Sequence, residues 1–81
     1  MRKTEVPDIG QKIQVEKMDT SLNIVKEQMV SQVFDKISGL VLFIATPIFK
    51  GILVPISIGQ TLRITYVKKD MGIYGFEARV I

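Results

Sequence analysis

The chain has no cysteine and no histidine. With neither thiol nor imidazole there is no disulfide framework, no thiolate nucleophile, no Cys/His metal site and no side chain that titrates near neutrality unless shifted there. These absences remove most common catalytic constellations. A serine with a lysine base, or a pair of carboxylates, stays chemically open, but the serines and acids are scattered and form no motif. The expectation is a protein that is not an enzyme. Tryptophan is missing too, which leaves Phe34, Phe43, Phe49, Phe76, Tyr66 and Tyr74 as the large apolar anchors.

What is present describes one small domain. The chain has 81 residues, of which 47% are apolar, enough for a packed core. A domain of this size buries only about 60–65% of the surface its unfolded chain exposes, so modest stability is expected. The net charge is +3, from 11 Lys and Arg against 8 Asp and Glu spread along the whole chain. So mild and dispersed an excess favours solubility more than a nucleic-acid partner.

The N-terminus lacks a signal-peptide pattern, because Arg2-Lys3 is followed by polar residues and Pro7, not by an apolar core. A cytoplasmic location is the simplest expectation. The run from Gly39 to Gly59 is about as long as a membrane span. Lys50 near its middle and Pro47 and Pro55 on either side argue against a transmembrane helix.

Residues Met1–Asp8 read as a flexible lead-in, with the folded domain over 9–81. From Gln11 to Lys17, Ile13 and Val15 alternate with Lys12, Gln14 and Glu16, the pattern of a half-buried strand. A loop is expected over Met18–Asn23. Ile24–Ile37 is ambiguous: Val25, Met29, Val33 and Ile37 recur every four residues, and by periodicity alone a helix is the cleaner reading. Ser38-Gly39 signals a turn. Leu40–Ala45 is a continuous apolar run that reads as a strand buried on both sides and as the centre of the core. Phe49-Lys50-Gly51 turns, and Ile52–Val54 is a short extended piece ended by Pro55, a residue suited to a sheet edge.

The last third reads as a hairpin. Leu62, Ile64 and Tyr66 share one face of the outgoing strand, and Tyr74, Phe76, Ala78 and Val80 share one face of the return. Two registers let these rows meet. One sets Arg63 opposite Glu77 and Ile64 opposite Phe76, with Asp70 at the loop tip, and the other sets Arg63 opposite Arg79. Like charges placed directly opposite cost a few tenths of a kcal/mol or more, which favours the first. Short strands between Gly and Pro turns suggest an all-β fold, an antiparallel barrel whose closure would remove exposed edges.

The segments Ile9-Gly10-Gln11-Lys12-Ile13, Ser31-Gln32-Val33, Ile44-Ala45-Thr46-Pro47-Ile48, Lys50-Gly51 with Val54-Pro55, Gly59-Gln60-Thr61-Leu62 and Gly72-Ile73-Tyr74-Gly75-Phe76 closed by Val80 stand in this order. In that order and spacing the chain resembles the N-terminal domain of YcgR-type flagellar brake proteins, which precedes the PilZ domain in those cyclic-di-GMP effectors. The resemblance implies a small antiparallel split β-barrel of about five to six short strands, with a strand over roughly Glu27–Lys36. It also implies a non-catalytic regulatory role, a PilZ domain downstream as partner, and contact with flagellar motor proteins of the stator or rotor switch. A place at the flagellar basal body would follow.

In that family cyclic-di-GMP is held by an Arg-x-x-x-Arg motif and an Asp/Asn-x-Ser-x-x-Gly motif of the PilZ domain and its linker, where paired guanidinium groups grip phosphates and guanine edges. Here the arginines are Arg2, Arg63 and Arg79, with no pair at that spacing. Asp19-Thr20-Ser21 leads to Ile24 where glycine is needed, and Asp35 through Ser38-Gly39 is misspaced. No cofactor is therefore expected in this chain, and the dinucleotide is expected mainly in the linker and PilZ domain.

Arg63, Glu77 and Arg79, with Lys68 and Lys69 at the hairpin tip, are the candidate interaction surface, although charges alternating along a strand are most often its solvated face. Tyr66, Tyr74 and Phe76 either form an aromatic platform or, facing one another in the hairpin, form core. Rival readings are a basic OB-like barrel binding single-stranded nucleic acid, a flavin-binding split barrel, and a dimerisation domain. The expectation is no nucleic acid and no membrane insertion, with a homo-oligomer left open.

Overall fold

The computed structural model describes residues 6–19, 24–37, 41–69 and 72–81, and the side chains of 24–27 are not among those described. The loop over 20–23, the Ser38-Gly39 turn, Leu40 and the Asp70 tip lie outside the described residues. Every described element is a strand. They are β1 (Lys12–Met18), β2 (Ile24–Ile37), β3 (Val41–Ile44), β4 (Ile48–Phe49), β5 (Ile52–Leu53), β6 (Thr61–Lys68) and β7 (Gly72–Arg79). All pair antiparallel in the order β5-β4-β2-β1-β6-β7, with β3 also on β2.

β2 is the pivot. Its stretch up to Gln32 pairs with β1, while Val30 meets Ile48 of β4 and Val33–Ile37 pair with β3 on the other side, across a bulge between Val33 and Asp35. The ambiguity of this segment resolves as a strand for a simple reason. A spacing of four is even, so Met29, Val33 and Ile37 share a face at period two as well as along a helix. Met29 and Val33 are fully buried, while Ile37 runs past the core.

The core lies on the inner face of β1, β2 and β6, where Ile13, Val15, Met29, Val33, Leu62, Ile64 and Tyr66 form one cluster. Met29, Val15, Ile64 and Phe76 stand side by side across four strands. Each fully buried aliphatic side chain in such a row contributes about 1.5–3 kcal/mol. The hairpin adopts the register with Arg63 opposite Glu77 and Ile64 opposite Phe76, unbroken from Thr61/Arg79 to Lys68/Gly72.

One expectation is corrected. β3 is not the buried centre: Val41, Leu42 and Ile44 are half-buried and Phe43 is exposed, because β3 pairs only with β2 among the described residues and packs one face on the core. The small split-barrel-like fold expected from the resemblance is present: among the described residues there are seven antiparallel strands in one sheet that is not closed. The shortest strands, β4 and β5, meet at Lys50-Gly51, where both residues have positive φ (50° and 79°) and connect Phe49 to Ile52 as a tight two-residue hairpin. The result is a small split-barrel-like fold with an opening beside β7.

Candidate interaction surface

One device built from the residues Ile-Gly-Gln leads into both β1 and β6. The Gln11 N–H donates to the Asp8 carbonyl (3.0 Å), and the Gln60 N–H donates to the Ser57 carbonyl (3.1 Å). Each closes a turn whose third residue is a glycine with φ of 90°, as a type II turn requires. The Gly10 N–H then donates to the Val33 carbonyl and the Val33 N–H to the Gln11 carbonyl, so two residues face one. Gly59, Gln60 and Val80 repeat the pattern. This is a glycine-led β-bulge that aims the following strand into the sheet. The glutamine side chains extend the tie, Gln11 Nε2 donating to the Val67 carbonyl (2.7 Å) and Gln60 Nε2 to the Met18 carbonyl (2.9 Å).

The strands so placed turn their other face outward, and cross-strand partners set its rows. Gln28, Glu16, Arg63 and Glu77 form one row, and the next runs through Leu53, Ile48, Val30, Gln14, Thr65 and Gly75. Val67 and Ile73 are paired beyond it, toward the hairpin end. Arg79, opposite Thr61, lies at the other end. Val30, Leu53, Val67 and Ile73 are between 52% and 74% exposed, so the face is charged at one end and apolar at the other. A groove crosses it, lined by Lys12, Gln14, Val30, Thr65, Val67 and Ile73.

The structure thus brings Arg63, Glu77 and Arg79 to one face and separates the two lysines from them. Lys68 stands on the inward-facing side of β6, with Nζ 3.7 Å from Asp8 Oδ1, while Lys69 lies exposed in the turn. The row from Glu16 through Arg63 to Glu77 alternates in sign and forms no basic stripe. Tyr66 is buried, with the Tyr74 ring stacked at 5.7 Å and the Phe76 ring edge-on at 6.1 Å. These three rings are core. The exposed rings are Phe34 and Phe43, 6.3 Å apart.

Sequence reasoning chose charged residues and passed over Val30, Ile48, Leu53, Val67 and Ile73. A signal existed: Val67 and Ile73 are apolar at positions out of phase with the inward rows of their strands. Among the described residues no group of three or more acidic, His or Cys side chains could hold a metal ion.

Fold and face together define a class, a small split-barrel-like β domain that presents a mixed apolar and charged surface. The family model for flagellar protein YcgR matches residues 8–81, and the chain belongs to that family. It is a regulatory domain of the flagellar-brake kind and belongs with motility. No curated protein and no solved structure matches the chain. Among the described residues no helix is long and apolar enough to cross a membrane.

Proposed function

We propose that this domain is the non-catalytic regulatory and interaction domain of a cyclic-di-GMP-responsive flagellar brake, and that it works by changing its arrangement against a PilZ domain that follows it. The observation that carries the reading is the family match across residues 8–81. The dinucleotide sits in the linker and PilZ domain, and this domain responds. Coupling arises because contacts with the ligand favour one domain arrangement over another, the only way a ligand shifts such an equilibrium. The outer face then meets or leaves its partner, the PilZ domain in one arrangement and a motor protein in the other. Arg63, Glu77 and Arg79 supply orientation, and Val30, Val67 and Ile73 supply apolar contact.

Tyr66 is buried with Tyr74 and Phe76 packed on it, which counts against these three rings as a platform for bases or a flavin, and the alternating charge of the outer row counts against a polyanion. Calorimetric titration of cyclic-di-GMP into this chain and into a longer chain including the PilZ domain tests the proposal. Heat is expected only from the longer chain. Tight binding by this chain alone, or by neither, overturns the reading.

A further inference from the structure

The two ends of the open sheet differ. β5 has only two residues and is followed shortly by Pro55, the kind of edge that resists pairing. β7 has eight residues, no proline and an unbroken register with β6, and among the described residues it pairs with nothing else. Its backbone directions follow from Val80, whose carbonyl accepts from the Gly59 N–H and whose N–H donates to the Gln60 carbonyl. In an antiparallel ladder such pairs alternate, so Ala78, Phe76 and Tyr74 also bond toward β6. Arg79, Glu77, Gly75 and Ile73 therefore turn their N–H and C=O groups to the open side.

We infer that this edge pairs with the β7 edge of a second copy of the chain, antiparallel about a two-fold axis, with Glu77 of each copy opposite Arg79 of the other. Self-complementary charge selects that register. Shifting it by two residues in either direction gives Glu77 opposite Glu77 or Arg79 opposite Arg79, which like-charge repulsion disfavours. The chosen register centres on Ala78 and sets Phe76 of one copy beside Val80 of the other. The inward row of β7, left half-buried in one copy, is thereby continued by the same row of the second. On the other face the 83% exposed Ile81 falls opposite Gly75, where there is no side chain to obstruct it. A two-fold contact of this kind uses the same patch on both partners. One strand pair is a small interface, so weak self-association is expected.

Sedimentation equilibrium up to millimolar chain is the test, with circular dichroism confirming that each variant folds. The wild-type mass is expected to rise with concentration from 9.1 kDa toward twice that value. Glu77→Lys and Arg79→Glu each turn two attractive pairs repulsive and are expected to weaken self-association about tenfold. Arg79→Glu is the cleaner variant, because its cross-strand neighbour within the chain is Thr61, whereas residue 77 faces Arg63. Mixing the two variants is expected to restore association, since the lysine introduced in one copy then meets the glutamate introduced in the other, and the unchanged Arg79 of the first meets the unchanged Glu77 of the second. A wild-type chain that stays monomeric, self-association untouched by both variants, or a mixture that fails to associate overturns the inference; the first leaves the edge to some other strand.

Discussion

At the scale of residues, two of the turn glycines have a mechanical meaning. Gly10 and Gly59 both have φ of 90° and open space where a Cβ would be, so substitution there costs backbone energy and no steric clash. Gly10→Ala and Gly59→Ala are each expected to lower stability by about 1–2 kcal/mol in urea denaturation, with Gly59→Asn losing less because asparagine tolerates positive φ better. Gln11→Ala removes the bond to the Val67 carbonyl and the acceptor of the Asp8 N–H, and is expected to cost about 1–3 kcal/mol in the same assay. That these glycines sit in turns was legible from the sequence. That Ile9-Gly10-Gln11 and Ile58-Gly59-Gln60 are one device used twice was not, because its partners Val33 and Val80 lie far along the chain.

At the scale of elements, pairing decides what local pattern leaves open. The hairpin register was readable because two constraints coincided, apolar rows that must share a face and charges that must not face their like. β2 was not readable from periodicity, since an apolar spacing of four fits helix and strand alike, and only the strand lets Met29 join Val15 and Ile64 in one row. β3 misled for the opposite reason: a run without alternation reads as doubly buried, yet one face of it meets solvent at Phe43. Exposure separates the two faces of the hairpin. Ile64→Ala, at a 3% exposed position, is expected to cost about 2–4 kcal/mol. Ile73→Ala, at a 74% exposed position, is expected to stay within about 0.5 kcal/mol of wild type, so loss of regulation in that variant reports the surface and not the fold.

For the whole molecule, the consequential departure from a closed barrel is a sheet that stays open among the described residues. Among the described residues the sheet ends at β7 with an unpaired edge and a partly exposed inner row, and exposed Val30, Ile48, Leu53, Val67 and Ile73 lie on its outer face. Composition could not show this, because the same apolar residues serve a core or a surface according to the strand phase they occupy. Such surfaces suit the proposed role, in which the domain responds to cyclic-di-GMP bound elsewhere. The most direct test is nitrogen–proton correlation NMR of this domain, alone and joined to its PilZ domain, before and after the dinucleotide is added. No shifts are expected in the isolated domain. In the joined protein shifts are expected on the outer face at Val30, Thr65, Val67 and Ile73, with the core signals of Val15, Met29 and Ile64 unmoved. Shifts in the isolated domain, or none in the joined protein despite saturation, would contradict that role.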